Sequence, residues 1–437
     1  MRKTKRLGWV MLAALAAVAV PQVGRAASDA ALEERVRALE KKLDAEQKGA
    51  ATESQSVRQR IEAIETEVKT QEQTIADKLG ITFHAFVDTL AIYNTNSPAN
   101  HNNQLRVFDV DSNSFELQQA NINISRHKDD ENLGFVINLD FGKEAEILNN
   151  ATNWSNGSNR NSNTPFELRE AYATYKLPFF QDISTVTLKG GKFVTLLGAE
   201  IVNNYDNFNY NISRSFSFGF GIPVTNTGLM TNFTVGSMVS VDAGVVNGWD
   251  NPQDNNNGKT FMGGVGFTPI DWYNFYLSGT YGPEENDNGH SKRGVFTWVN
   301  TLKPTDQLTL VAEATYGNES NFQPPNNPTQ NSALWYGGCG YIVYKFTDRL
   351  QAAFRAEIFE DADNFRLNVG PSLSTGLTPT GSTVWEVTPT ISYQVTQGLL
   401  WRNEYRHDNS NGKPFQTSSG NFVSGQDTLT SELIYVF

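Results

Sequence analysis

The sequence has one cysteine and few histidines, which limits the chemistry that it can support. Cys339 stands alone among 437 residues, so neither an intramolecular disulfide nor a cysteine-based metal site can form. The five histidines lie far apart without metal-ligand spacing, and no glycine-rich phosphate loop precedes a helix. Nothing singles out a serine and a histidine for hydrolysis. We therefore expect no cofactor, no metal and no enzymatic activity.

Long apolar runs are missing after the N-terminus, and basic charge is in deficit. Residues 1–26 hold basic residues, an apolar run and a small-residue exit, typical of a secretory signal peptide that is cleaved after Ala26. Its removal takes away five basic residues and no acidic one, so the net charge of −12 becomes −17. This acidity disfavours nucleic acid as a partner. Without an apolar helix, the mature chain could span a membrane only as a closed β-barrel.

Residues 27–79 differ in composition from the rest, being highly charged and free of proline. Apolar residues recur there at spacings of four and three, in two runs: Leu32, Val36, Leu39, Leu43 and then Val57, Ile61, Ile64, Val68, Ile75. This pattern predicts a coiled coil. The seam is narrow and flanked by charges, which favours self-association. The alternative is a lone amphipathic helix that folds back on the following domain.

From Gly80 onward the period of the apolar residues changes from about 3.5 to 2, which marks a domain boundary. About sixteen segments alternate between apolar and polar residues, each close to the roughly 10 residues that a tilted membrane strand requires. In the last segment Leu429, Leu433, Tyr435 and Phe437 share one parity, opposite to Thr430 and Glu432. That segment alone would also suit an edge strand of a soluble sandwich.

The connections between these segments decide between the two folds, because they alternate in length. Long polar connections, such as residues 195–224, alternate along the chain with tight turns, such as Gly236-Ser237. A sandwich has no reason to sort its loops in this way, whereas a membrane barrel has short periplasmic turns and long external loops. We predict an all-β fold for residues 80–437, a transmembrane antiparallel β-barrel of about 16 strands. An even strand count places Gly80 at the periplasmic rim, so the coiled coil would lie in the periplasm.

The connection of residues 195–224 is the longest, and we predict that it folds into the lumen. It carries Glu200, Asp206 and Arg214. On the predicted lumen face of the last four strands stand the arginines Arg355, Arg402 and Arg406, and the acids Glu357, Glu386, Glu404 and Glu432. One hypothesis is a constriction with a transverse field between loop acids and wall arginines. The alternative is a wall of Arg and Glu pairs that only stiffens the lumen.

Several stretches go beyond general barrel patterns: Leu105–Asp109, Asn113–Ala120, Leu197–Glu200, Asn211–Ser215, Ile222–Pro223, Thr227–Gly228, Glu404–Asp408 and the final strand. They resemble the outer-membrane β-barrel porin family of the OmpL-like type. The resemblance implies a channel in a Gram-negative-type outer membrane. Likeness to trimeric porins with a periplasmic coiled coil implies a homotrimer. Likeness to outer-membrane proteins in general implies that Tyr435 and Phe437 form a signal for the barrel-assembly machinery.

The sequence thus predicts a porin in the cell outer membrane, a passive diffusion channel for small hydrophilic solutes or ions. Its partners would be outer-membrane lipid, the barrel-assembly machinery and two further copies of itself. The alternative function is a structural anchor whose periplasmic coiled coil tethers the outer membrane to the cell wall.

Overall fold

The computed structural model describes residues 34–45, 57–61, 63–64, 79–127, 132–154, 164–178, 184–203, 208–322, 331–367 and 381–437. The chain divides into two compact units, Met1–Lys78 and Leu79–Phe437. The predicted signal peptide and much of the predicted coiled coil lie outside the described residues.

The described residues of the N-terminal unit are helical. Residues 34–45 form one helical stretch, in which Val36, Leu39 and Leu43 are 48, 66 and 52% exposed. These are the side chains that the sequence pattern assigns to a coiled-coil seam, and in the single chain they face solvent. The coiled coil itself stays a prediction. No helix among the described residues is both long enough and apolar enough to span a membrane.

Within the described residues, sixteen strands close into one antiparallel barrel, which confirms the predicted fold class. Each strand pairs with its neighbours in the chain, and the last one also pairs with the first. The strands are β1 (Thr82–Asn94), β2 (Ser114–Arg126), β3 (Leu133–Phe141), β4 (Phe166–Lys176), β5 (Ser184–Val194), β6 (Thr225–Val235), β7 (Val239–Val246), β8 (Thr260–Ile270), β9 (Tyr273–Gly282), β10 (Arg293–Leu302), β11 (Leu308–Ser320), β12 (Ser332–Lys345), β13 (Leu350–Asp361), β14 (Ser382–Thr396), β15 (Leu399–Ser410) and β18 (Gly425–Val436).

The ring closes between β1 and β18. Leu90 lies opposite Glu432, and Ala85 exchanges two backbone hydrogen bonds with Phe437, of 3.1 and 3.0 Å. Closure leaves no strand edge with unpaired backbone groups, as a lipid environment requires.

Side chains along the strands alternate between lipid and lumen with the period of two that the sequence predicts. On β18, Leu429, Leu433 and Tyr435 are 51, 47 and 52% exposed on the outside. Thr430 and Glu432 point inward and are buried. The outer surface therefore carries an apolar band, and the polar residues lie inside.

Three short elements lie within the connections. They are helix α1 (Lys143–Trp154), a π-helical turn (Ser217–Gly221) and a small hairpin of β16 (Phe415–Gln416) and β17 (Phe422–Val423). The sequence pattern did not predict them, because they are too short and too polar to leave a sustained apolar periodicity. Helix α1 places Glu144 and Glu146 in its first turn, where the helix dipole favours negative charge.

Residues 195–224 are called the lumen loop from here on, and their described part, residues 195–203 and 208–224, folds into the barrel. Their apolar side chains join residues of other loops and of the wall in one buried cluster, whose aromatic members are Phe108, Phe193, Phe216, Phe218, Phe220, Trp249, Trp335 and Phe359. Burial of so much apolar surface favours the inserted position of the loop. The barrel interior therefore has a core as well as a polar wall.

Candidate functional site

The lumen loop meets a charged wall formed by β13, β14, β15 and β18. Four of the six predicted constriction residues meet there and are buried: Glu200, Arg355, Arg402 and Arg406. A fifth, Arg214, is also buried but its side chain lies elsewhere. The sixth, Asp206, lies outside the described residues. Buried charges are tolerated only when they are paired and hydrogen-bonded, so the contacts of these side chains define the site.

Arg355 joins two parts of the loop to the wall. Its Nη1 donates to Glu200 Oε1 and to the carbonyl oxygen of Ser213, each at 2.6 Å. Its Nε donates to Glu386 Oε1 on β14, also at 2.6 Å. One guanidinium therefore holds the loop at two positions 13 residues apart.

Two wall carboxylates bind consecutive backbone amides of the loop. Glu404 accepts hydrogen bonds from the amides of Ile212 and Ser213 at 2.6 and 2.9 Å. Glu357 accepts from the amides of Phe216 and Ser217 at 2.6 and 2.7 Å. Hydrogen bonds to an ionised acceptor are short and strong. The loop thus supplies donors for acids that would otherwise be buried without them.

Arg402 and Arg406 complete the wall. Arg402 pairs with Glu432 and donates from Nη1 to the carbonyl oxygen of Asn209 at 2.5 Å. Arg406 pairs with Asp408 at 2.7 Å, and its guanidinium lies 4.8 Å from the centre of the Phe216 ring. Asp408 also pairs with Arg106, in the connection between β1 and β2, at 2.8 Å. Each arginine is therefore engaged by at least one carboxylate.

The lumen loop crosses the barrel between opposite walls. Near its start, the amide of Gly198 donates to Thr297 Oγ1 on β10 and the amide of Ala199 donates to Glu313 Oε2 on β11, at 3.1 and 2.9 Å. Farther along, the carbonyl oxygen of Asn203 accepts from Arg169 on β4 at 2.7 Å. Gly198 has a φ of +82°, and a Cβ there would lie 2.9 Å from Ile222, so this tight bend requires glycine.

Arg214 points away from the other arginines, toward helix α1. Its Nη2 lies 3.7 Å from Glu144 Oε1, and its guanidinium stacks on Phe108 and Phe218 at 5.2 and 5.9 Å. Burial raises the pKa of Glu144 to about 7, against the opposing effect of Arg214. Helix α1 is therefore a second inserted element, and sequence reasoning missed Glu144 because the helix was not predicted.

The connection between β13 and β14 also holds the lumen loop, through Arg366. Its Nε donates to the carbonyl oxygen of Phe220 at 2.6 Å, and its guanidinium lies 4.5 Å from the Trp249 ring centre. Asp361 accepts from the amides of residues 365, 366 and 367. Burial and the neighbouring Arg293 lower the pKa of Arg366 to about 9, so it stays charged at neutral pH. A single arginine in a polar loop gave no sequence signal for this role.

Comparison with known proteins agrees with this architecture. Residues 80–437 match the family described as "Putative beta-barrel porin-2, OmpL-like". The chain belongs to this family. A search of curated proteins found no match.

Solved outer-membrane proteins share the fold at low sequence identity. The outer membrane channel DcaP of Acinetobacter baumannii is 12% identical, with a TM-score of 0.53 over 82% of this chain and 97% of that one. OprB of Pseudomonas putida is 12% identical, with a TM-score of 0.52 over 84 and 96%. OmpT of Vibrio cholerae in its trimer form is 11% identical, with a TM-score of 0.50 over 82 and 99%. Family and fold support an outer-membrane porin channel and favour a channel over an enzyme.

The contacts of Glu404 predict a measurable loss of stability when its side chain is removed. Glu404→Ala leaves two loop amides and the Thr390 hydroxyl without their acceptor. We expect the free energy of unfolding, measured by denaturant titration in lipid, to fall by about 3 kcal/mol, since hydrogen bonds to charged groups contribute about 1.5–3 kcal/mol each.

The matched control is Glu360→Ala. Glu360 is half-buried on the outward face of β13 and bonds Thr383 Oγ1. We expect its removal to cost about half as much, about 1.5 kcal/mol, because Glu360 accepts one hydrogen bond and Glu404 accepts three. Equal losses in the two variants would contradict a special role for the Glu404 contacts.

Proposed function

We propose that the protein is a passive diffusion channel of the outer membrane for small hydrophilic solutes or ions, narrowed by the lumen loop. The observation that carries this proposal is the path of the loop across the barrel, from Thr297 and Glu313 on one wall to Arg169 on the other. A loop that is hydrogen-bonded to both walls narrows the lumen permanently, whereas a mobile loop would act as a gate.

We propose that Glu200, Asp206, Arg214, Arg355, Arg402 and Arg406 border the narrowest part of this channel. The five that the structure describes are buried and paired, which favours a role in holding the shape of the loop. Their transverse field on a solute stays a prediction, and so does any contribution of Asp206.

A structural anchor is the second candidate, and the apolar cluster inside the barrel favours it. Phe216, Phe218, Trp335 and Phe359 pack where an open pore would hold water. In this function the barrel is closed and only anchors the protein in the membrane, and the N-terminal helix binds the cell wall.

Single-channel recording in a planar lipid bilayer separates the two functions. For the purified full-length protein we expect stable current steps that are ohmic at low voltage, because the loop is fixed. Arg402→Ala removes the partner of Glu432 and of the Asn209 carbonyl, so we expect altered conductance and more open-channel noise.

Two results of this recording would count against the proposals. A protein that inserts but carries no current would contradict the channel and favour the anchor. Conductance and noise unchanged in Arg402→Ala and Arg406→Ala would contradict a role of these arginines in the narrow part.

We propose further that the protein is a homotrimer assembled through a periplasmic coiled coil of residues 27–79. The exposed seam of Val36, Leu39 and Leu43 supports this, since burying it requires another helix. The trimer form of OmpT is one relative in fold. Tyr435 and Phe437, whose rings stack at 5.6 Å, remain our candidates for the barrel-assembly signal.

Deletion of residues 28–79 tests the coiled coil. We expect the truncated protein to insert as a barrel and to run as a monomer in native electrophoresis and light scattering, because its association helix is gone. Substitution of Arg37 and Lys41, which lie at outer heptad positions away from the seam, by alanine is the control and should leave the trimer intact. A stable trimer without residues 28–79 would show that the barrel alone drives assembly.

A further inference from the structure

Charged side chains on the lumen face differ in how far the lumen loop covers them. On β13 to β18 they are buried: Arg355, Glu357, Glu386, Arg402, Glu404, Arg406 and Glu432. Between the loop and β11 and β12 there remains a cavity of about 90 Å³, lined by Phe208, Tyr210 and Tyr341 among others. That volume holds only a few water molecules.

On β4, Glu167, Arg169 and Glu170 are buried as well, whereas the wall from β5 to β9 carries charged side chains that are only half-buried. Lys189 on β5 and Asp242 on β7 are both half-buried, and so are Tyr172, Asn232 and Tyr276 around them. Lys189 lies opposite Thr174 and Met230 in the sheet, next to the outward-facing Leu188, which directs its side chain inward.

Lys189 has hydrogen-bonding capacity to spare. Its Nζ lies 4.7 Å from the Tyr172 ring centre and 5.5 Å from that of Phe193, and it forms no ion pair among the described residues. The two rings hold the ammonium by cation–π attraction without occupying its three N–H donors. Such a cation can bind an acceptor from a passing solute.

Asp242 is held in place by neutral donors. Asn232 Nδ2 donates to Oδ1 and Tyr276 hydroxyl to Oδ2, both at 2.8 Å. The Tyr276 hydroxyl reaches across β8 because residue 264 is glycine, where a Cβ would collide with it. Each carboxylate oxygen of Asp242 therefore already accepts one hydrogen bond from a neutral donor.

We propose that Lys189 and Asp242 set the charge preference of the channel, with Lys189 attracting small anionic solutes such as carboxylates and Asp242 opposing them. The arginines beneath the lumen loop contribute less to this preference, because they are buried and each is paired with a carboxylate. The inference rests on the proposed channel function, and it concerns which ions pass rather than whether any pass.

The reversal potential of the purified full-length protein in a planar bilayer under a KCl gradient measures this preference. We expect Lys189→Glu to raise the potassium-to-chloride permeability ratio by at least about threefold, because the fixed charge beside the passage changes sign. Asp242→Asn should lower the ratio. Lys189→Met keeps the apolar stem on Tyr172 and should give an intermediate value, so it also serves if the glutamate variant does not insert.

Lys303→Glu is the matched control. It makes the same charge change on an exposed turn between β10 and β11. At 0.1 M salt the Debye length is about 10 Å, so a charge on this turn has little effect on the ions in the lumen. We expect the wild-type ratio for it.

The possible failures are distinguishable. If the wild-type protein conducts and the Lys189 and Asp242 variants keep its ratio, this inference is overturned and the channel stands. An equal shift in Lys303→Glu also overturns it, since net charge would then be the cause. If the wild-type protein carries no current, both proposals fall.

Discussion

The interior of this barrel depends on the pairing of buried charge with the backbone of the lumen loop. Glu357 and Glu404 would be costly in a dry interior, but each receives two amide donors from the loop. The loop in turn has consecutive amides that no strand or helix satisfies. Loop and wall are therefore each incomplete without the other.

The apolar cluster and the charged wall act on the loop together. Phe216 and Phe218 pack in the cluster, while the amides of Phe216 and Ser217 bind Glu357. Apolar burial favours insertion without fixing a register. The charge-assisted hydrogen bonds supply the register, because each carboxylate matches one pair of amides. A fixed loop then determines which lumen side chains a solute can reach, Lys189 and Asp242 among them.

The sequence predicted the barrel well because its determinants are local. Alternation of Leu429, Leu433 and Tyr435 with Thr430 and Glu432 depends only on neighbouring positions, and loop lengths are visible in any single chain. Glu200, Arg355 and Arg402 could be selected as lumen residues for the same reason.

The partners of these residues could not be predicted, because the contacts are distant in sequence. Arg355 and Glu200 are separated by 155 positions, and alternation says which face a side chain takes but not what covers it. Glu144 and Arg366 went unnoticed since each depends on how an external loop folds inward. Lys189 is half-buried whereas the wall arginines are buried. The path of the lumen loop determines this difference, and alternation along a strand does not show it.

Hydrogen–deuterium exchange of the reconstituted full-length protein tests the central claim most directly. The amides of Ile212, Ser213, Phe216 and Ser217 are bonded to wall carboxylates. If the loop is a fixed part of the barrel, peptides covering residues 208–217 exchange as slowly as the strands, on the scale of hours. Exchange as fast as that of the exposed hairpin tip at Ser418 and Ser419 would show that the loop opens freely, and would contradict the account.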